Sequence, residues 1–144
     1  VLQWLSADQG VDAQRLGALG FCIGGHLAFR AAFRSEVKAT ACMYPTGLQN
    51  GKLGRGVADS LQRVAEIQGA LFTLFGTEDP HVPGEDRERI LAALQHVRHE
   101  TLLFEANHTF MRDDGWRWDP ELADQAWMAL TTFLKRELCG PEAV

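Results

Sequence analysis

"LGALGFCIGGH", residues 16–26, decides the fold. Its first half is a short run of small and apolar residues, the kind that forms a strand buried on both faces. Its second half runs on through "LAFRAAF" to Phe33 and reads as a helix from Gly24, with Leu27, Ala28, Ala31 and Ala32 predicted to face a sheet. Between the two stands Cys22, with a glycine two positions away on either side. A strand, a sharp turn carrying a nucleophilic side chain and a helix are the parts of a nucleophile elbow.

The rest of the chain repeats the alternation. Helix-like sequence at 1–7 and a polar loop at 8–14 precede the first strand. "VKATACMYP" (37–45) is a second strand stopped by Pro45, and 46–56 is a loop rich in glycine and polar residues. "GALFTLFG" (69–76) is a third strand, and 84–96, acidic in its first turn, is a helix. "ETLLFE" (100–105) is a fourth strand and "ANHTFMRDDGWRW" (106–118) a long loop, after which Asp119 and Pro120 start a helix running to Leu138. This order predicts an α/β fold, a doubly wound, mainly parallel sheet with ligands at the carboxyl ends of its strands.

The composition narrows the function. With 46% hydrophobic and 23% charged residues, 144 residues suit one globular domain. The net charge of −5 has no basic stripe, which argues against nucleic acid as a partner. No apolar run reaches the length of about 18 residues that a membrane helix needs, so no membrane role is expected. Cys22, Cys42 and Cys139 are odd in number and show no C-x-x-C spacing, which argues against a disulfide framework and a zinc site; a reducing, cytoplasmic compartment is the expectation. His96 and His99 have the spacing of a helix face, but no thiol or carboxylate cluster joins them, and no metal is expected.

A G-x-C-x-G pattern arises in roughly 3% of shuffled chains of this composition, so its context decides. Two later loops supply that context. "GTEDPHVP" places Asp79 just past the third strand, with Glu78 as its substitute, and "ANHTFMR" places His108 just past the fourth. Nucleophile, acid and histidine then follow the chain order of α/β hydrolases. A thiol is mostly protonated at neutral pH, so Cys22 needs His108 or the positive end of its helix to become thiolate. Asp79 would fix the imidazole tautomer, and the Ile23 N–H would be an oxyanion-hole donor. Of the other candidates, His81 is expected in the acid loop without a chemical role, and His26 as an exposed or packing residue of the elbow helix. Trp4 and Trp127 are expected to pack under loops and along the last helix, Trp116 and Trp118 to line the pocket, and Cys42 and Cys139 to be structural.

"GFCIGG", "GTEDPHVP" and "NHTFMR", in that order, resemble the dienelactone hydrolase family of α/β hydrolases, from about Leu16 to the end of the chain. The resemblance implies a hydrolase that opens a small ester or lactone, such as a carboxylate-bearing enol-lactone. It implies a Cys22–His108–Asp79 triad, a thioester intermediate and no cofactor. It also implies that Arg112 meets the substrate carboxylate and that Tyr44 lies near the site. The family has further strands before the elbow, carrying a second oxyanion donor, a second substrate-binding arginine and a thiol-tuning glutamate; none is located here. Residues 1–144 are therefore expected to form a single, partial domain with its N-terminal strands missing, its first strand bare along one edge and its turnover poor. Two alternatives stay open: a thioesterase or peptidase of the same fold, and a non-catalytic truncated or repurposed domain that keeps the motifs as scaffold.

Overall fold

Residues 1–140 are described by a computed structural model. In chain order the elements are α1 (Leu2–Ala7), β1 (Leu16–Phe21), α2 (Ile23–Ala31), β2 (Val37–Met43), the two-residue strands β3 (Lys52–Leu53) and β4 (Gly56–Val57), a 3₁₀ segment (Ser60–Glu66), β5 (Ala70–Gly76), α3 (Gly84–Leu94), β6 (His99–Phe104) and α4 (Pro120–Cys139). The main sheet has the order β1-β2-β5-β6 and is parallel throughout. Spatial order equals chain order, so all the carboxyl ends lie side by side along one rim.

The alternation of side chains along the strands builds two cores. Ala39, Ala41 and Met43 of β2 and Phe72 and Leu74 of β5 turn to one face, where Ala126, Leu130 and Phe133 of α4 cover them. Cys42 of β2 and Leu71 and Phe75 of β5 turn to the other, under Ala28 and Phe29 of α2 and Ile90 and Leu94 of α3. Helices on both faces make the sheet doubly wound. They also explain why β5 reads as an unbroken apolar run: every one of its residues is buried. The start of α4 is as the sequence predicts, with Pro120 in the first turn and the Asp119 carboxylate accepting from the Leu122 amide at 3.0 Å.

Other expectations need correction. The buried residues of α2 are Gly25, His26, Ala28 and Phe29, with Ala32 buried just past its end, whereas Leu27 is 55% exposed. The elbow starts the helix at Ile23 and presses Gly25 onto the end of β2, where a Cβ would come within 3.1 Å of the Met43 carbonyl, and that contact sets the rotation of the helix. The helix α3 ends at Leu94, short of His96, and β6 begins at His99. The 46–56 loop contains the β3–β4 hairpin, whose strands are too short to show a period. No residue of α1 is buried, so Trp4 does not pack under a loop. The run read as a strand buried on both faces is an edge strand that, among the described residues, pairs with β2 alone and leaves Leu19 exposed.

Candidate active site

Cys22 sits in the turn between β1 and α2 at φ 56°, ψ −123°, outside the regions that residues with a Cβ prefer. Such a conformation costs about 1–3 kcal/mol and persists only where neighbours hold it. Here the Cys22 N–H donates to the Met43 carbonyl at 2.9 Å, and the Cys22 carbonyl accepts from the amides of Gly25, His26 and Thr46 at 3.0, 3.3 and 3.3 Å. Gly20 is demanded by contact, since a Cβ there would stand 1.9 Å from the Gly24 carbonyl oxygen. A Cβ at Gly24 would meet nothing within 4 Å, so the second glycine of the pattern is not required sterically, and the crowded position is Gly25.

The loops after β5 and β6 bring their side chains to this turn. His108 Nε2 lies 3.1 Å from Cys22 Sγ, and His108 Nδ1 lies 2.6 Å from Asp79 Oδ2. The other Asp79 oxygen, Oδ1, accepts the His81 N–H at 2.8 Å. Asp79 and His108 are buried and Cys22 is half-buried, while Glu78 is exposed. A carboxylate only accepts, so Nδ1 carries a hydrogen and Nε2 faces the sulfur, ready to take its proton. The rings of Tyr44 and His81 stand edge-on to the imidazole, at 5.2 and 4.6 Å between centroids.

The electrostatics shift both groups toward their charged forms. Burial opposes the Cys22 thiolate, but the His108 hydrogen bond, helped by Thr46, the His108 charge and the Ile23 amide, outweighs it and holds the thiol below its ordinary value. Burial likewise opposes the imidazolium, and the bonds to Asp79 and Cys22 outweigh it, so His108 is held above its ordinary value.

Three residues at this site escape sequence reasoning. The Thr46 hydroxyl lies 3.8 Å from Sγ. Of the two expectations for His26, exposed or packing, the second holds: it is fully buried, and beyond packing it is hydrogen-bonded at both nitrogens, with Nδ1 3.0 Å from the Thr46 carbonyl and Nε2 2.7 Å from the Ser60 hydroxyl. A carbonyl only accepts, so Nδ1 donates and Nε2 accepts from Ser60, whose oxygen in turn accepts from Arg30 at 3.1 Å. A directed chain from Arg30 through Ser60 and His26 thus pins the loop that carries Thr46. The signal in the sequence is thin, a lone histidine one turn after the cysteine.

An apolar cavity of about 420 Å³ opens at Cys22, walled by Phe21, Tyr44, Met111 and Trp127, with Arg112 and Thr109 at its border. Tyr44 is almost wholly buried, and burial pushes its hydroxyl up to about 12. Arg112 arrives with its guanidinium already in a two-pronged pair with Asp114. The tryptophan at the cavity is Trp127, 5.8 Å from Phe21; Trp116 is 85% exposed and lies beneath the Arg117 guanidinium, and Trp118 does not line the cavity. Cys42 is sealed in the core, where burial pushes its thiol far up, while Cys139 is exposed on α4 and holds no core together. Among the described residues no cluster of His, Cys, Asp or Glu side chains could hold a metal ion, and no helix is long and apolar enough to cross a membrane.

The model of the dienelactone hydrolase family matches residues 1–138. A Saccharomyces cerevisiae protein named "Putative carboxymethylenebutenolidase" is 39% identical over 110 residues, which cover 72% of this chain and 40% of the yeast protein. A Synechocystis protein of the same name is 32% identical over 131 residues, 89% of this chain and 53% of its own. Among solved structures, one described as a "Putative Dienelactone Hydrolase" from Klebsiella pneumoniae matches with a TM-score of 0.83 at 24% identity, covering 94% of this chain and 57% of that one. The chain spans about half the length of the curated relatives it matches.

Proposed function

The chain belongs to the dienelactone hydrolase family, and from that premise we propose that it hydrolyses a small ester or lactone by acyl transfer to Cys22. The Cys22 proton passes to His108 Nε2 and the thiolate attacks the carbonyl carbon. The carbonyl oxygen becomes an alkoxide beside the Ile23 N–H, a kind of donor worth about 2.7–4 kcal/mol to an acyl-transfer barrier. The carbon–oxygen bond then breaks, Nε2 gives its proton to the leaving oxygen, and a thioester remains on Cys22. Water loses a proton to Nε2 and attacks the thioester; the carbon–sulfur bond breaks, the Cys22 sulfur leaves as thiolate and takes the proton back from Nε2, and the acid product leaves. Asp79 keeps Nδ1 protonated throughout and stabilises the imidazolium. No cofactor is needed for any of these steps.

One observation carries this reading: the unbroken run of contacts from Sγ through the imidazole to a buried carboxylate, at 3.1 and 2.6 Å, on a strained turn. The volume and lining of the cavity favour a small substrate with an apolar arm. Arg112 can meet a substrate carboxylate at the border only by sharing or leaving Asp114. The test is rapid mixing with p-nitrophenyl acetate. A burst of nitrophenol equal to the protein concentration is expected, with one acetyl group found on the Cys22 peptide. No acetyl on Cys22, or equal acetylation in the Cys22→Ala chain, refutes the proposal.

A further inference from the structure

The loop that carries Asp79, residues 77–83, is stiff by composition. Pro80 follows Asp79 at once and Pro83 follows Val82, and a proline ring locks its own φ. Few torsions are then free between Asp79 and Val82, so a shift at one end of the stretch is passed to the other.

This loop is anchored on both sides. At its start the Thr77 amide donates to the Phe104 carbonyl at 2.8 Å and the Glu78 amide to the Ala106 carbonyl at 3.1 Å, which ties it to β6 and the residues just beyond. Past Asp79 it is tied instead to the loop after β2. Val82 and Leu48 are buried in the same core, and Gln49 Nε2 donates to the His81 carbonyl at 3.0 Å. Among the described residues Gln49 is the only side chain outside the loop that hydrogen-bonds to its backbone. The His81 N–H donates to Asp79 Oδ1, and the His81 ring stands edge-on to His108. The residue that Gln49 grips therefore meets both the carboxylate and the imidazole.

The grip has a cost. Gln49 Oε1 is buried and has no hydrogen-bond partner among the described residues, which is destabilising for an acceptor. An apolar side chain of similar length would fill the space without that orphan. What the amide adds is a donor, and the donor goes to His81.

We infer that Gln49 is a positioning residue: through the His81 carbonyl it holds the loop that presents Asp79 to His108, and so governs how firmly the imidazole is set for Cys22. This role rests on Cys22, His108 and Asp79 working as a triad.

Alkylation of Cys22 by iodoacetamide across pH tests it. Exposed Cys139 serves as the reference thiol, and buried Cys42 stays unreactive only while the chain is folded. Gln49→Met keeps the length and loses the donor; it is expected to slow Cys22 about two- to tenfold at pH 7, the span of one neutral hydrogen bond, and to move its midpoint up. Gln49→Glu, which sets a carboxylate against the His81 carbonyl, is expected to do the same. In an Asp79→Asn chain Gln49→Met should slow Cys22 no further, because it acts through the carboxylate that is gone. An unchanged rate and midpoint in both variants, an equal further fall in the Asp79→Asn chain, or a fall that in both variants comes only with a reactive Cys42 overturns the assignment. The triad fails separately, if Asp79→Asn itself leaves the rate and midpoint of Cys22 unmoved, and the role of Gln49 then falls with it.

Discussion

Replacing Asp79 with asparagine changes one atom and inverts the logic of the site. Oδ1 accepts the His81 N–H at 2.8 Å, so the carbonyl oxygen of the new side chain must take that place. Its NH₂ group then falls at the Oδ2 position, 2.6 Å from His108 Nδ1, where two donors would oppose each other. His108 escapes by moving its hydrogen to Nε2, and that hydrogen points at the sulfur. The thiol then faces a donor where it needs an acceptor, and the imidazolium, with hydrogens on both nitrogens, loses its partner. A charge-assisted hydrogen bond is worth about 1.5–3 kcal/mol, so the thiolate–imidazolium pair should fall about ten- to a hundredfold in population. Alkylation of Cys22 by iodoacetamide as a function of pH, with Cys139 as internal reference, reads that population. In Asp79→Asn the rate at pH 7 should drop by the same factor, and the midpoint should move up toward the free-thiol value of about 8.5. A rate within twofold of the parent chain, with an unmoved midpoint, would show that the carboxylate does not set the state of the imidazole.

Three further outcomes follow from the geometry. Thr46→Val removes a hydroxyl at the long distance of 3.8 Å from Sγ, so the loss should sit at the low end for a hydrogen bond, about 0.5 kcal/mol, or about twofold slower alkylation at pH 7, and Thr46→Ser should restore the rate. Gly20→Ala should abolish folding or cost more than about 4 kcal/mol in urea denaturation, because its Cβ meets backbone, whereas Gly24→Ala should be neutral or gain up to about 1 kcal/mol from helix propensity. Burial holds His26 below its ordinary value, so its contribution to stability is present above about pH 6.5 and is lost as pH falls toward the folded value. The parent chain should therefore lose more Tm than His26→Gln between pH 7 and pH 5; the opposing contribution of His108, held above its ordinary value, is common to both proteins and cancels in the difference.

The sequence announces Cys22, Asp79 and His108 because each is tied to a local event, the end of an apolar run; only the run before Asp79, β5, is covered on both faces, while β1 and β6 are partly exposed. Thr46, Ser60 and His26 are not announced. Their bonds join residues 20 and 34 positions apart, through a loop and a 3₁₀ segment that carry no period. The rotation of α2 is hidden for a different reason: it is set by where Gly25 touches β2, and neither Leu27 nor Ala31 betrays that contact. Trp127 was legible only as a packing residue of the last helix. Its place at the cavity depends on α4 lying across the sheet near Phe21, a fact about the sheet and not about the helix.

Spatial order equal to chain order also explains how so much of a site fits within residues 20–112. Cys22 comes from the end of β1, Asp79 from the loop after β5 and His108 from the loop after β6, while the end of β2, between the first two, supplies Tyr44 and Thr46. Each strand end therefore touches the next. The β2 end does the most for the strained turn, since the Met43 carbonyl and the Thr46 amide hold Cys22 from both sides and Thr46 is itself held by His26, four residues into the same elbow. Strain at Cys22 and rigidity of the Thr46 loop are thus two ends of one closed circuit, Cys22 to Thr46 to His26 and back along α2. A change that loosens His26 should then be felt at the sulfur, although the two side chains do not meet.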